Sequence, residues 1–327
     1  MKNYIKNFAK LASMIGIVFL FNYFTNQSTK LSQDFVQDLD NINGTLIVGP
    51  TFDEESYIKL LTGTKLDIQV YDLTSPDFIN LIIEFRKNLG TVRLMLEDNM
   101  YKGNNNYPKI VNKLFKYGVK IQNDSNIRSN YLHSKLLLTD FNFIIQSGNL
   151  GYSTFFRNRE HFFVSENKEI LNNLNELFDK DWNGQKIKSN EIHPNLIVCN
   201  INCREKIEYL LNNAQSSIYI ETQYITDSSI LGILESKNHL DLKIIVGKGQ
   251  DENYFKGLEI NNNKRIYSKY YLHTKTILVD NKYLIVGSMN LSDNSLDKNR
   301  EHGIILINKS LIEQYKKEFM KDWDLVK

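Results

Sequence analysis

The chain has 327 residues, 42% hydrophobic and 24% charged, with a formal net charge of +2. That length holds one large domain or two of ordinary size, and the composition excludes a disordered or fibrous chain. Residues 1–30 carry four lysines and no acid, leaving 36 basic against 38 acidic side chains, without the basic excess of proteins that grip long nucleic acids.

In chain order, Lys2, Lys6 and Lys10 come first, then the apolar run LASMIGIVFLFNYF (Leu11–Phe24), then polar TNQSTK. A positive flank before an apolar run shorter than a comfortable span reads as a signal peptide or membrane anchor over residues 1–30. No small-x-small cleavage pattern follows to distinguish the two.

From residue 45 onward the chain repeats itself. TLIVGP near 45 returns as NLIVCN near 195, and KLDIQVYDLTSPDFINLI as SSIYIETQYITDSSILGIL, with Asp77 opposite Asp227. TVRLMLED returns as DLKIIVGK, YLHSKLLLTD as YLHTKTILVD, and ELFDKDW as KEFMKDW. The tetrapeptide NREH occurs at Asn158–His161 and at Asn299–His302. The offset shrinks from about 150 to about 140, which places an extra surface loop in the first copy at Asn99–Lys109. The repeats run over 42–182 and 195–327, with polar NGQKIKSNEIHP (Asn183–Pro194) as the linker.

Within the second copy, LIVC, SIYIE, LKIIVG, KTILVD, YLIVGS and GIILI read as strands. REKIEYLLNNA, DSSILGILES and SLIEQYKKEFMKDW read as helices. The fold class is therefore α/β, with two pseudo-twofold related lobes, each a sheet flanked by helices, and a site at the lobe interface fed by both. One such chain makes a pseudo-dimer, so a monomer is expected.

His133, Lys135 and Asp140 fit H-x-K-x4-D, and so do His273, Lys275 and Asp280. QSGN (Gln146–Asn149) follows the first, and GSMN (Gly287–Asn290) follows the second one residue later, with Gly in place of Gln. His and Lys two apart on a strand project on one face. This duplicated pattern resembles the HKD motif of the phospholipase D superfamily, and the resemblance covers nearly everything after residue 45.

Metal-free phosphodiester cleavage needs a nucleophile, an acid for the leaving alkoxide, and donors around the phosphoryl oxygens. The resemblance implies a two-lobed fold in which His133 attacks phosphorus and His273 serves as general acid and base, one imidazole neutral and the other protonated. Lys135, Lys275, Asn149 and Asn290 then hold the phosphate, and Ser147 and Ser288 support those asparagines. In the family a glutamate at the position of Glu160 or Glu301 fixes an imidazole, and each follows the motif histidine of its own copy by 27 or 28 residues. Asp140 and Asp280 are expected at the far strand ends as structural groups. No cofactor and no metal is implied. The expected substrate is a phospholipid or other phosphodiester, with water or an alcohol as acceptor. Cardiolipin synthase-like transfer belongs to this reading, with the chain anchored to a membrane or secreted and its catalytic part extracytoplasmic. A nuclease of the same superfamily is the alternative, and an inactive tethered binding module the second.

The remaining residues are read more plainly. Asn and Arg of NREH shape a turn, and His161 and His302 open strands at the rim of the site. His193 and His239 are solvated, and Tyr131 and Tyr271 either pack in the core or line the pocket, with core packing the safer reading. Cys199 and Cys203 are read as two structural thiols, a local disulfide being the alternative.

Overall fold

The computed structural model describes residues 35–50, 53–88, 90–98 and 107–326. The chain divides into a unit ending at Leu39, of which only 35–39 are described, and a unit Asp40–Lys327. The apolar N-terminal run lies outside the described residues. Among those described, no helix is long and apolar enough to cross a membrane.

The first half of the larger unit builds strands β1 (Thr45–Val48), β2 (Lys65–Val70), β3 (Thr91–Leu96), β4 (Lys120–Asn123), β5 (Lys135–Thr139), β6 (Phe143–Gln146), β7 (Asn158–Arg159) and β8 (His161–Ser165). The second half builds β9 (Leu196–Val198), β10 (Ser217–Thr222), β11 (Asp241–Gly247), β12 (Lys264–Tyr267), β13 (Tyr271–Leu272), β14 (Lys275–Val279), β15 (Tyr283–Gly287) and β16 (His302–Leu306). The first sheet runs β1-β8-β6-β5-β2-β3-β4, and the second, counted from its other edge, runs β9-β16-β15-β14-β10-β11-β12. The two orders are the same, element for element. Each sheet is mixed: β2, β3 and β4 are parallel, while β5, β6, β8 and β1 are antiparallel.

Helices α1 (Glu54–Ile58), α2 (Pro76–Lys87), α3 (Tyr107–Lys116), α4 (Tyr152–Phe156) and α5 (Lys168–Trp182) belong to the first half. Helices α6 (Cys203–Asn212), α7 (Ser228–Ser236) and α8 (Lys309–Leu325) belong to the second. Side-chain caps start them where expected: Ser75 accepts the Phe78 amide at 3.1 Å and Asp227 the Ile230 amide at 3.0 Å. Ser75, rather than Asp77, is thus the counterpart of Asp227. Of the expected loop Asn99–Lys109, residues 107–109 instead open α3, and 99–106 lie outside the described residues.

The sheets pack face to face, with β6 and β8 against β15 and β16. Leu136, Leu138 and Phe163 of the first lobe share one apolar core with Leu278, Val286 and Ile304 of the second, closed by Phe178 of α5 and by Tyr315 and Phe319 of α8. A separate core under α2 gathers Phe78, Ile82, Leu94 and Tyr57. Cys199 and Cys203 are joined as a disulfide, not left as two thiols. Their spacing of four brings the last residues after β9 to the first turn of α6, close enough to bridge.

The motif aspartates stand at the turns after β5 and β14, at the opposite strand ends from the histidines. Asp140 Oδ2 accepts the Lys65 amide at 2.8 Å and the Thr64 amide. Asp280 Oδ1 accepts the amides of Gln215, Ser216 and Ser217 at 3.0, 2.7 and 3.1 Å. Burial opposes the Asp280 charge, yet these amides outweigh it and hold the carboxyl below its ordinary value. Asp280→Ala should therefore cost about 2 kcal/mol and lower Tm by several degrees in calorimetry. Turnover should stay within about threefold, since these bonds lie a strand's length from the histidines.

Candidate active site

Short ladders between the lobes fix the site. β13, just before His273, pairs in parallel with β7, so Tyr271 lies opposite Asn158 and Leu272 opposite Arg159. Its counterpart is a bridge between Leu132 and Arg300. The His273 amide donates to the Arg159 carbonyl at 3.1 Å, and the Arg300 amide to the Tyr131 carbonyl at 2.9 Å. The stretch entering each motif histidine is therefore held by the NREH of the other lobe.

The glutamates cross accordingly. His133 Nδ1 lies 2.8 Å from Glu301 Oε2, and His273 Nδ1 lies 2.8 Å from Glu160 Oε1. This corrects the expectation that each glutamate serves the histidine upstream in its own copy. Chain distance misled because the ladder residues pair across the interface, carrying Glu160 and Glu301 over it.

Every letter of NREH has a partner. Asn158 Nδ2 donates to Glu160 Oε1 at 3.0 Å, and Asn299 Nδ2 to Glu301 Oε1 at the same distance. Arg159 pairs with Asp322 of α8 at 2.6 Å, and Arg300 with Asp181 of α5 at 3.2 Å, each in the opposite lobe. Asn and Arg thus buttress the carboxylate and clamp the closing helix, beyond merely shaping a turn. His161 Nδ1 meets Thr274 Oγ1 at 2.6 Å and His302 Nδ1 meets Ser134 Oγ at 2.7 Å, again across the interface. Both histidines are fully buried rather than at a rim, and burial pulls His302 down to about 3.

Ser147 Oγ donates to Glu160 Oε2, and Ser288 Oγ is 3.5 Å from the His302 carbonyl, so neither supports an asparagine as expected. Gln146, the departure from glycine in the first copy, donates through Nε2 to the Gly148 carbonyl at 2.7 Å and accepts from Tyr57. At the matching place Gly287 faces Gly303, where a Cβ would come within 2.7 Å of the Gly303 Cα, and Met289 fills the space. The residue missing from the first copy falls in the β5–β6 turn: Leu138 pairs with Phe143, but Leu278 with Leu284.

The electrostatics follow from burial. His133 is drawn down to about 4 by burial and by Lys135 and Lys275, with Glu301 opposing. Burial and both lysines lower His273 as well, against Glu160. This differs from the expectation of one protonated imidazole: at neutral pH both are neutral, each giving Nδ1–H to a carboxylate and keeping a lone pair on Nε2. Their side chains stay 17% and 13% exposed, open to a reactant. Burial pulls the Lys135 ammonium down to about 7 and Lys275 to about 8, the two glutamates opposing. Each lysine donates to the carbonyl of its motif histidine, Lys135 at 2.6 Å. Glu160 stays ionised at about 2: burial works against it, but His273, Lys275 and Ser147 win.

Asn290 Nδ2 is 3.2 Å from Tyr224 Oη, and the buried Oδ1 atoms of Asn149 and Asn290 have no partner among the described residues. Tyr71 meets His133 edge-on at 5.1 Å between ring centres and lies 5.5 Å under Lys135 Nζ, so His133 and Lys135 do share a face. Tyr271 stacks beside His273 at 6.1 Å, bonded to Gln223 at 2.6 Å, and Tyr131 meets Tyr71 at 6.2 Å. These two tyrosines line the pocket rather than the core. Tyr71, Gln223 and Tyr224 escaped the sequence reading, although they directly follow the strands that neighbour β5 and β14. His239 is exposed as expected, whereas His193 is packed, its Nε2 3.2 Å from Asp40.

Among the described residues, two groups could geometrically hold a cation, Glu97–Asp98–Asp124 and Asp40–Glu169–His193. In the second, His193 Nδ1 accepts the Asn195 amide, which leaves the proton on Nε2 and removes that nitrogen as a ligand. Neither group contains a motif residue.

The family described as "Cardiolipin synthase, PLD-like domain" matches residues 57–182 and again 207–323. A cardiolipin synthase of Clostridium perfringens is 29% identical over 126 residues, covering 35% of this chain and 26% of that protein. The chain thus spans about a quarter of the length of that curated relative. A phosphatidylserine synthase from Haemophilus influenzae Rd KW20 has a similar fold, with TM-score 0.60 and 12% identity, covering 88% of this chain and 89% of that one. So has a polyphosphate kinase from Porphyromonas gingivalis, with TM-score 0.69 and 13% identity, covering 85% and 50%. With both copies matched and two mixed sheets in one strand order, the chain belongs to the phospholipase D superfamily, in the cardiolipin synthase, phospholipase D-like domain family.

Proposed function

We propose that the chain is a phosphatidyltransferase or phosphodiesterase acting on phospholipids, held at a membrane by its N-terminal segment with the catalytic part outside the cytoplasm. The observation that carries this is the pair of crossed Glu–His bonds beside two buried lysines, which leaves two imidazole Nε2 atoms available in one site. The near-neutral charge beyond residue 30 favours a lipid over a nucleic acid.

In the proposed course, the phosphodiester enters between Lys135 and Lys275, and its negative charge raises the pKa values that burial had lowered, so that His273 takes up a proton. His133 Nε2 attacks phosphorus, forming a P–N bond as the P–O bond to the leaving group breaks, and His273 gives its proton to the departing oxygen. An incoming water or alcohol then returns a proton to His273, its oxygen bonds to phosphorus, and the P–N bond breaks. Lys135, Lys275, Asn149 and Asn290 hold the non-bridging oxygens throughout. Glu301 and Glu160 keep each imidazole in the reactive tautomer and stabilise it when cationic.

Phosphatidylglycerol vesicles should release glycerol on incubation with the protein, and a new phospholipid should form when a primary alcohol is added, read by mass spectrometry. Cleavage of single-stranded DNA with every lipid untouched would instead make the chain a nuclease.

His133→Ala and His273→Ala should each lower kcat by about 10⁴-fold or more, and the double variant should lose little beyond either one. Activity surviving either change would refute the shared site.

Glu301→Gln should lower kcat by roughly 10–100-fold with unchanged circular dichroism. Because the Glu301 carboxylate raises the His133 pKa, its loss lowers that pKa further, and the acid limb of kcat/KM should move to lower pH. A slower variant with an unmoved acid limb would reduce Glu301 to packing.

A further inference from the structure

The two half-sites match in their motif groups but differ at the rim. After Asn149 the first copy continues Gly-Tyr-Ser-Thr-Phe-Phe-Arg (Gly151–Arg157), whereas the second reads Ser-Asp-Asn-Ser-Leu-Asp-Lys (Ser292–Lys298). In the second copy the charges are satisfied within the protein: Asp297 pairs with Arg204 at 2.6 Å, and Lys298 with Asp293. In the first copy α4 turns Phe155 into the core against Tyr57, at 5.2 Å between centres, and leaves Tyr152 and Phe156 55% and 45% exposed. Those two rings stack at 4.6 Å, and the Arg157 guanidinium covers Tyr152 at 5.2 Å.

This segment links Asn149 to Glu160, so it is bound to the mouth of the site. The Tyr271 amide donates to the Arg157 carbonyl at 3.4 Å, which joins a third exposed aromatic residue, 56% open, to this segment. Two residues before Tyr271, Lys269 is exposed and lies 5.1 Å over Tyr270. Segments 151–157 and 268–271 together hold two cations and no carboxylate. Aromatic rings and cations without acids, on one edge of a cleft, match the headgroup layer of an anionic bilayer, where amphipathic rings settle and arginine meets phosphate.

We infer that Tyr152, Phe156 and Arg157 of the first lobe, continued by Tyr271 and Lys269 of the second, form the edge by which the chain seats on an anionic phospholipid surface. Resting on the lipid reading of the site, this deepens it: the cleft meets the bilayer asymmetrically, the α4 edge inward, with the segment Ser292–Lys298 toward water. Substrate then enters past α4 without leaving the headgroup layer.

The full chain is tested in phosphatidylglycerol vesicles with two variants. Phe156→Trp should gain fluorescence that lipids with brominated acyl chains quench, beyond any quenching of Trp182 and Trp323 in the unaltered chain. The triple variant Tyr152→Ser, Phe156→Ser, Arg157→Gln should lose about tenfold or more of its turnover of vesicle lipid, as expected for withdrawing two rings and a cation from the interface. It should hydrolyse water-soluble bis(4-nitrophenyl) phosphate within about twofold of the unaltered chain, which also reports that it folds. An unquenched residue 156, or full vesicle turnover by the triple variant, overturns the inference while leaving the phosphodiesterase reading intact. Quenching at 156 in a chain that cleaves neither substrate would sink that reading and keep the membrane edge.

Discussion

A carboxylate cannot be buried without a partner, and Glu160 and Glu301 are both wholly buried. Each finds its partner in an imidazole of the other lobe, so neither lobe can satisfy its own charge. Removing either imidazole within the intact interface would leave a carboxylate buried without that partner, at a cost of several kcal/mol. The rest of the interface follows the same rule. Arg159 and Arg300 neutralise Asp322 and Asp181 on the opposite closing helices, and Thr274 and Ser134 answer His161 and His302. Holding the fold together and aiming the imidazoles are thereby one requirement.

The network is not perfectly twofold. Gln69, opposite Leu136 in the sheet, donates to Asp181 at 3.1 Å, whereas the matching position in the second lobe is Glu221, opposite Thr276. A second carboxylate beside Asp322 would overload Arg159. Burial, with Asp322 nearby and Arg159 opposing, pushes Glu221 up to about 8. Burial thus favours the protonated form of Glu221 at the place where the other half has a neutral glutamine. Arg159 also lies 3.6 Å from Glu318 of the same closing helix, so the two arginine clusters differ in their surroundings.

Much of this was written legibly in the chain. The second-copy strands and helices fell within a residue or two of their sequence-read positions, since short β-branched runs and amphipathic stretches of ordinary length are unambiguous there. Short edge strands such as β12, KRIY, carried too little pattern to be seen. The two histidines and lysines were legible because spacing of two on an extended chain needs no tertiary knowledge. Pairing was not. Two identical NREH words are interchangeable as sequence, and only β7 meeting β13 decides which glutamate reaches which histidine. The aspartates of DKDW and MKDW were visible as repeats, but their arginine partners lie across an interface that no local pattern encodes.

A duplicated site inside one chain can do what a homodimer cannot, which is to differ in its halves. Residues that cross the interface are constrained twice, because a change in one lobe strands a partner in the other, and HKD and NREH are accordingly the same in both copies. The positions flanking the motif groups are less alike. There the copies diverge: Tyr71 stands where the second lobe has Gln223, and Asp72 where it has Tyr224. The aromatic run after Asn149 likewise becomes an acidic one after Asn290. A reaction that expels one alcohol and admits another presents two unlike groups to two like imidazoles. In the proposed course the two imidazoles take different parts, His133 attacking phosphorus and His273 moving the proton, and like motif groups between unlike walls suit a reaction whose leaving and entering alcohols differ.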